Sequence, residues 1–397
     1  MTATRGRITR VRFAGLRTAA SVDLDLDGLT VLIGDNGVGK STIIEGLELL
    51  HRVTRGDDFI ASIHDVHGGL GLVTHGRNHV SIGLDVTDGV TRWSYDVKLQ
   101  STDGGMDVAD ETLVRDREVV FHRQGLHVAV SRLKNLPTFD AMMSTAPIVP
   151  LLAMFGESDV LTACLDGIDV YGPFATTAAW LRQGQESGRS ARQDNVLQQT
   201  ARLARGGTNL ANAFNALRQR DDWKDTLETV QVVVDNDIRD VRTPISESGN
   251  VGLLVEYRTG TVPAHALSDG TLALLALVAV TTFDGDVVPR SMLVLDEPDL
   301  HLHPGAIQYL VTLLERCAER YPVVIATHSD HLLDCLTAPE RSTVLCDLDE
   351  HRHLRLRRPD PPALARWLRD YRGMGHLRAE GYAGFAFPPP SRAADGR

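Results

Sequence analysis

Gly34-Asp35-Asn36-Gly37-Val38-Gly39-Lys40-Ser41 lies between a short apolar run, residues 29–33, and an apolar-periodic stretch, residues 41–50. A short apolar run reads as a buried strand and 3.6-residue periodicity as a helix, so the order is strand, glycine turn, helix. Glycines let a backbone fold tightly enough for several amide N–H groups to point at one anion. The N-terminal end of the following helix adds partial positive charge. Lys40 supplies a point charge. The motif GxxxxGK[ST] in this strand–helix setting therefore reads as a phosphate cradle of Gly34, Asn36, Gly37, Gly39, Lys40, Ser41 and Thr42, with the Lys40 charge directed at β and γ phosphates.

The chemistry to match a bound nucleotide triphosphate sits further along the chain. Residues 291–295 form an apolar run that ends in Asp296-Glu297. Acids at the carboxyl end of a buried parallel strand stand at the edge where open α/β sheets bind ligands. Asp296, with the Ser41 hydroxyl, suits a Mg²⁺ shell, and Glu297 suits polarising an attacking water. A second apolar strand, residues 323–326, ends in Thr327-His328-Ser329. An imidazole there can hydrogen-bond a γ-phosphate oxygen and keep water and base in register. The predicted catalytic set is Glu297, His328 and Lys40, with ATP and Mg²⁺ as cofactors. A further anion site is predicted in Leu267-Ser268-Asp269-Gly270-Thr271, where Ser268 and Gly270 precede an apolar helix over 272–280.

Bulk properties exclude several other classes. The chain has 397 residues, 43% hydrophobic and 23% charged, ordinary for a globular protein. A net charge of -11 carries no global basic signature of a nucleic-acid binder. Cys164, Cys317, Cys335 and Cys346 form no CxxC pair and read as reduced thiols. The N-terminus lacks a signal-peptide core, and residues 272–280 are about half the roughly 20 a membrane helix needs. The expectation is a cytoplasmic protein with no membrane association.

The rest of the chain divides coarsely. Residues 8–13 and 22–26 read as strands; 79–84 with 91–99 form a hairpin around Asp88-Gly89; 118–121 and 127–130 form another pair. These hairpins are expected as an antiparallel patch inserted after the first helix. Residues 174–230 read as mostly helical, 253–257 as strand, 306–320 and 363–372 as helices, and 387–397 as a disordered tail. The predicted organisation is an ATPase lobe over 1–170, a helical insertion over 171–230, a second ATPase lobe over 231–360, a C-terminal helical segment over 361–386 and the tail. The fold class is α/β, a P-loop NTPase with a mostly parallel central sheet.

Four stretches in this order, GDNGVGKST (34–42), LSDGT (267–271), LVLDEPDLHLHP (293–304) and ATHSDHLL (326–333), resemble the ABC-type ATPase superfamily. Within it the chain is most similar to soluble AAA-type ATPases of the RecF and overcoming-lysogenization-defect (OLD) group, with DEPDLHLHP the most specific marker. The resemblance covers nearly the whole chain, densely at the motifs. It implies a homodimer that packs head to tail, each ATP held between one subunit's phosphate loop and the partner's Ser268–Gly270 segment. The sequence departs from the family in two ways. No glutamine of a Q-loop is assignable among Gln100, Gln124, Gln183 and Gln185. The residues after Ser329 are too few for the Toprim domain of OLD nucleases, so any nuclease or toxin is expected as a separate chain. The functional expectation is an ATP-driven switch gating an effector protein or DNA, in antiviral defence or DNA maintenance and repair. The alternatives are the nucleotide-binding subunit of an ABC transporter and a scaffold that binds ATP without hydrolysing it. His301 and His303, like His64 and His67, invite a metal reading, but a structural or interface role is expected for the HLHP pair.

Overall fold

The most apolar strands of the sequence lie at the centre of the molecule, and their alternate residues feed two different cores. In this computed structural model, which describes residues 6–55, 57–103, 105–125, 127–130, 147–149, 158–177, 190–283, 289–362, 364 and 373–379, eighteen strands are found. They are β1 Arg7–Leu16, β2 Ala19–Asp25, β3 Leu29–Ile33, β4 His79–Thr87, β5 Arg92–Thr102, β6 Gly105–Arg115, β7 Glu118–Gln124, β8 His127–Val130 and β9 Ile168–Tyr171. Then come β10 Asn195–Val196, β11 Ile238–Arg242, β12 Asn250–Val251, β13 Leu254–Tyr257, β14 Gly260–Pro263, β15 Met292–Asp296, β16 Val323–Thr327, β17 Thr343–Leu348 and β18 Leu354–Arg357.

One sheet has six strands in the order β18-β17-β3-β16-β15-β9. It is parallel throughout except for the antiparallel β17–β18 edge. Val31, Ile33, Leu293, Leu295, Val323 and Ile325 join one buried cluster; Leu32, Met292, Val294, Val324 and Ala326 join the other. This is the two-residue alternation of a strand with both faces covered, which is why these segments read as unbroken apolar runs. The helix Asp269–Thr282 fills the first core and is buried all round from Leu272 to Thr281, as a helix without a polar face must be. The helix Lys40–Arg52 packs in the second.

The second core is closed by a seven-stranded antiparallel sheet, order β2-β1-β4-β5-β6-β7-β8. The predicted hairpins are present. They are not an inserted patch, however, because β1 pairs with both β2 and β4 and so draws the first two strands of the chain into the same sheet. The strand β6, not anticipated, joins β5 to β7. Its run Asp107-Val108-Ala109-Asp110-Glu111-Thr112 places Glu111 at a fully buried position, which hides the apolar alternation a strand normally shows.

The stretch expected to be mostly helical is only partly so among the described residues. Its helices are Leu210–Arg218 and Trp223–Val233, while 190–209 runs through turns and the two-residue strand β10. Side-chain amides organise these turns: Asn209 accepts from the Ala204 amide at 2.6 Å and Asn212 from the Gln198 amide at 3.1 Å. The predicted last helix, 363–372, lies outside the described residues apart from Leu364, as do Gln183, Gln185 and the 387–397 tail. All four cysteines are free thiols. No helix among the described residues is long and apolar enough to cross a membrane.

Candidate active site

Strand register places the predicted groups. In the parallel sheet Asp296 pairs with Ala326, and Ala326 with Leu32. The next residues of all three strands therefore leave from one carboxyl edge: Glu297, then Thr327-His328, then Ile33-Gly34. Residues far apart in sequence converge there because parallel strands deliver all their carboxyl ends to the same side.

The loop 34–39 is built by backbone constraints that only glycine meets at two positions. A Cβ on Gly34 would fall 2.3 Å from the Cys346 carbonyl oxygen. Gly39 has φ +106°, and a Cβ there would fall 2.4 Å from Thr18 Oγ1. Thr18, in the β1–β2 turn, also lies 3.3 Å from Thr42 Oγ1, so the antiparallel sheet braces the loop from behind. Lys40 is buried, and its Nζ donates to the carbonyls of Gly34 at 2.7 Å and Asp35 at 3.0 Å. The ammonium is thus folded back across the loop. Gly39 offers no side-chain cap to the helix Lys40–Arg52, and no acid lies in its first turn. The first amides of a helix lack intrahelical acceptors, so this terminus suits a phosphate group. Ser41 is exposed at the same turn.

Burial, reinforced by the neighbouring Glu297 charge, raises the Asp296 carboxyl above its ordinary pKa, while the Lys40 charge pulls the other way. A divalent cation beside Asp296 would offset that burial cost. Glu297 is not a continuation of the strand. Its φ is +50°, a left-handed conformation that is uncommon and costly for a residue with a Cβ. Its amide still donates to the Ala326 carbonyl at 2.8 Å. The kink brings Glu297 Oε2 within 2.7 Å of His328 Nδ1, though the approach lacks hydrogen-bond alignment and Oε2 has no aligned donor. A carboxylate oxygen with an unused lone pair beside an imidazole can orient and polarise a water. Among the described residues no group of three His, Cys, Asp or Glu side chains could hold a metal alone. A Mg²⁺ ion would rest on Ser41, Asp296 and the phosphates it accompanies, and the residues present fit that set.

The downstream motif has structural work of its own. Thr327 Oγ1 donates to Asp299 at 2.8 Å and accepts from the Ser329 amide at 3.0 Å, so the loop after Glu297 is tied to the loop carrying His328. His303 caps the helix Pro304–Ala318, its Nδ1 accepting from the Gly305 amide at 3.1 Å. His301 has φ +68°, and a Cβ on Gly270 would meet its carbonyl oxygen at 2.9 Å. His67 Nδ1 lies 3.0 Å from Glu45.

Ser268 and Gly270 occupy the start of a helix that begins at Asp269, three residues earlier than the apolar pattern suggests. Ser268 Oγ accepts from the Thr271 amide at 3.0 Å as the N-cap. Sequence reasoning missed three residues here. Thr18 is one. Arg192 is the second, with its guanidinium on Asp269. Arg378, on the helix Met374–Ala379, pairs with Asp330 and lies 3.1 Å from Asp35, joining the segment after His328 to the phosphate loop. The Q-loop candidates Gln100 and Gln124 lie in β5 and β7 of the antiparallel sheet.

The same architecture occurs in solved proteins. An Smc head bound to the C-winged helix domain of ScpA matches with a TM-score of 0.52 at 12% identity, over 88% of this chain and 96% of that one. An Smc head with an extended coiled coil, bound to the C-terminal domain of ScpA derived from Pyrococcus furiosus, matches with a TM-score of 0.51 at 11% identity, over 92% and 99%. No curated protein matches the chain. A family model described as "AAA domain, putative AbiEii toxin, Type IV TA system" matches residues 29–121 and 166–334. That model covers more than half of the chain, so this protein belongs to the family it describes, and its fold is similar to that of the Smc heads.

Proposed function

We propose that this protein is a Mg²⁺-dependent ATPase that closes head to tail on two ATP molecules with a second copy of itself, and that closure gates a partner effector protein or DNA. The observation that carries the reading is the convergence of Gly34–Thr42, Asp296, Glu297 and His328 at one edge of the parallel sheet. Lys40 would leave its loop carbonyls for the β and γ phosphates, and the first-turn amides would take the remaining oxygens. Bound Mg²⁺ would neutralise phosphate charge beside Ser41 and Asp296. Glu297 would orient the attacking water and accept its proton, with His328 holding the γ-phosphate. The Ser268–Gly270 turn, exposed at Ser268, would meet the partner's ATP, making the assembly isologous and two-fold.

The DEPDLHLHP string supports placement near the RecF and OLD group. The family's description as a type IV toxin–antitoxin system agrees with a role in defence. The test is native mass spectrometry of tagged Glu297→Gln, purified from its own host with ATP and Mg²⁺. A dimer carrying two ATP with a soluble effector or DNA is the expected result; a complex with a membrane protein would instead support the transporter alternative. A bare monomer under saturating ATP would sink the head-to-tail reading. Ser268→Arg should bind ATP as a monomer with unchanged affinity yet fail to dimerise, because an arginine at the turn obstructs the partner's phosphates; normal dimerisation would remove Ser268 from the interface.

A further inference from the structure

We propose that Arg192 is the positioning residue that sets the Ser268–Gly270 turn and ties it to the chain's own nucleotide edge, the coupling for which no Q-loop glutamine is assignable. The inference rests on the head-to-tail reading above. Its physical basis is one guanidinium with an unusual number of acceptors. The Arg192 side chain is only 9% exposed. Nη1 donates to the carbonyls of Leu267 at 2.6 Å, His265 at 3.1 Å and Ala264 at 3.5 Å, and Nη2 to Asp269 Oδ1 at 2.6 Å. These acceptors surround Ser268 in sequence. They belong to the short 3₁₀ turn from β14 into the helix Asp269–Thr282, where the Ala264 carbonyl also accepts from the Leu267 amide at 3.3 Å.

The fifth contact points elsewhere. Nε donates to the Thr176 carbonyl. Thr176 lies five residues beyond β9, and β9 pairs with the Asp296 strand through Leu295 and Tyr171. The segment leaving β9 is stitched to the arginine's own stretch: the Ala191 amide donates to Ala175 O at 3.0 Å and Ser190 Oγ to the same oxygen at 2.8 Å. Arg192 therefore spans from the strand beside Asp296 to the turn that faces the other subunit. On the far side the turn passes close to the loop that follows Glu297, since a Cβ on Gly270 would fall 2.9 Å from the His301 carbonyl oxygen. The turn is thus held by Arg192 on one side and has little room to move on the other. A planar fork with five donors can hold this set; an ammonium with three donors on a flexible stem, or an amide, cannot.

The inference predicts that loss of Arg192 damages the ATP site of the partner and spares the chain's own. Arg192→Gln should keep its ATP affinity as a monomer while ATPase turnover falls roughly 10- to 100-fold, the loss expected for a charge-assisted hydrogen-bond set. The decisive readout is complementation with Lys40→Ala, at an ATP concentration that leaves the weakened Lys40→Ala site largely empty. In the mixed dimer one site combines an intact phosphate loop with an intact turn. Half of the dimers in an equimolar mixture are mixed, so about a quarter of the wild-type rate should return. Ser268→Arg mixed with Lys40→Ala serves as the reference pair. Recovery in both mixtures supports the role of Arg192. Recovery with Ser268→Arg but not with Arg192→Gln overturns it and leaves the head-to-tail dimer standing. Recovery in neither overturns the composite site and the inference with it. Should Arg192→Gln lose monomer ATP binding, the milder Asp269→Asn, which removes one of the arginine's partners, is to be taken through the same pairs: recovery supports the coupling and its absence beside a recovering reference overturns it.

Discussion

Two groupings of a carboxyl with a nitrogen base, Glu297 with His328 and Glu111 with Arg123, differ in exposure and in how fully their hydrogen-bonding groups are satisfied. At the edge of the parallel sheet Glu297 and His328 are 21% and 56% exposed, and a Glu297 oxygen has no aligned donor. Inside the antiparallel sheet Glu111 and Arg123 are 0% and 1% exposed. Glu111 there accepts from the Tyr95 hydroxyl at 2.9 Å and from the amides of Ile148 and Val149, while Arg123 donates to the Gly125 carbonyl at 2.8 Å. The buried grouping is saturated. It anchors residues 148–149 to the sheet and leaves no lone pair for a substrate. The edge grouping keeps unused hydrogen-bonding capacity: Glu297 Oε2 is itself enclosed and has no aligned donor, on a side chain that is 21% exposed at the carboxyl edge of the parallel sheet. Incomplete satisfaction at the carboxyl edge of the parallel sheet is what separates the proposed reactive pair from the structural one.

That contrast can be broken by experiment. The largest effect is expected at Glu297. Glu297→Gln should still bind ATP while turnover falls on the order of 10²–10⁴-fold; in steady-state assays, undiminished turnover would remove the base role. Lys40→Ala should come next, weakening ATP binding roughly 10- to 100-fold by removing a charged donor worth about 1.5–3 kcal/mol; an unchanged dissociation constant by titration would show that Lys40 stays on its loop carbonyls. The smallest effect belongs to the buried grouping. Burial pushes the Glu111 carboxyl from 4.5 up to about 7. The folded chain thus holds that proton more tightly than the unfolded chain, so its contribution to stability is present below pH 4.5 and lost as pH rises towards 7. Glu111→Gln does not titrate. Its melting temperature should therefore gain on wild type between pH 5 and 7, with monomer ATP affinity unaltered. A constant difference across that window would mean that Glu111 is ionised throughout.

Much of the site was legible in the chain because each motif is contiguous and its physics is local. Glycines at 37 and 39 announce a tight loop, and the apolar runs before Asp296 and Thr327 announce strands whose ends must be polar. The antiparallel sheet was harder. Hairpins show themselves through turn residues such as Asp88-Gly89, but nothing near Arg7–Leu16 says that this strand pairs with His79–Thr87 across about 70 residues. The polar Glu111 masked β6, since a buried acid is affordable only when its partners arrive from elsewhere in the fold. The loop over 190–209 escaped for a related reason: its turns are held by asparagine side chains, whose acceptors cannot be read from composition.

The sequence by itself determined the phosphate loop, the acid pair, the histidine after the second strand and the parallel α/β class, because short-range periodicity and backbone sterics decide those. Only the tertiary structure decided which charged side chains lie against the predicted site segments. Arg192 and Arg378 are two of 41 lysines and arginines, with nothing in their neighbouring residues to distinguish them. Their partners lie 77 positions away at Asp269 and 343 away at Asp35. A guanidinium reaches whatever carboxylate or carbonyl the chain path brings within hydrogen-bond distance, and that path is settled only when the two cores close.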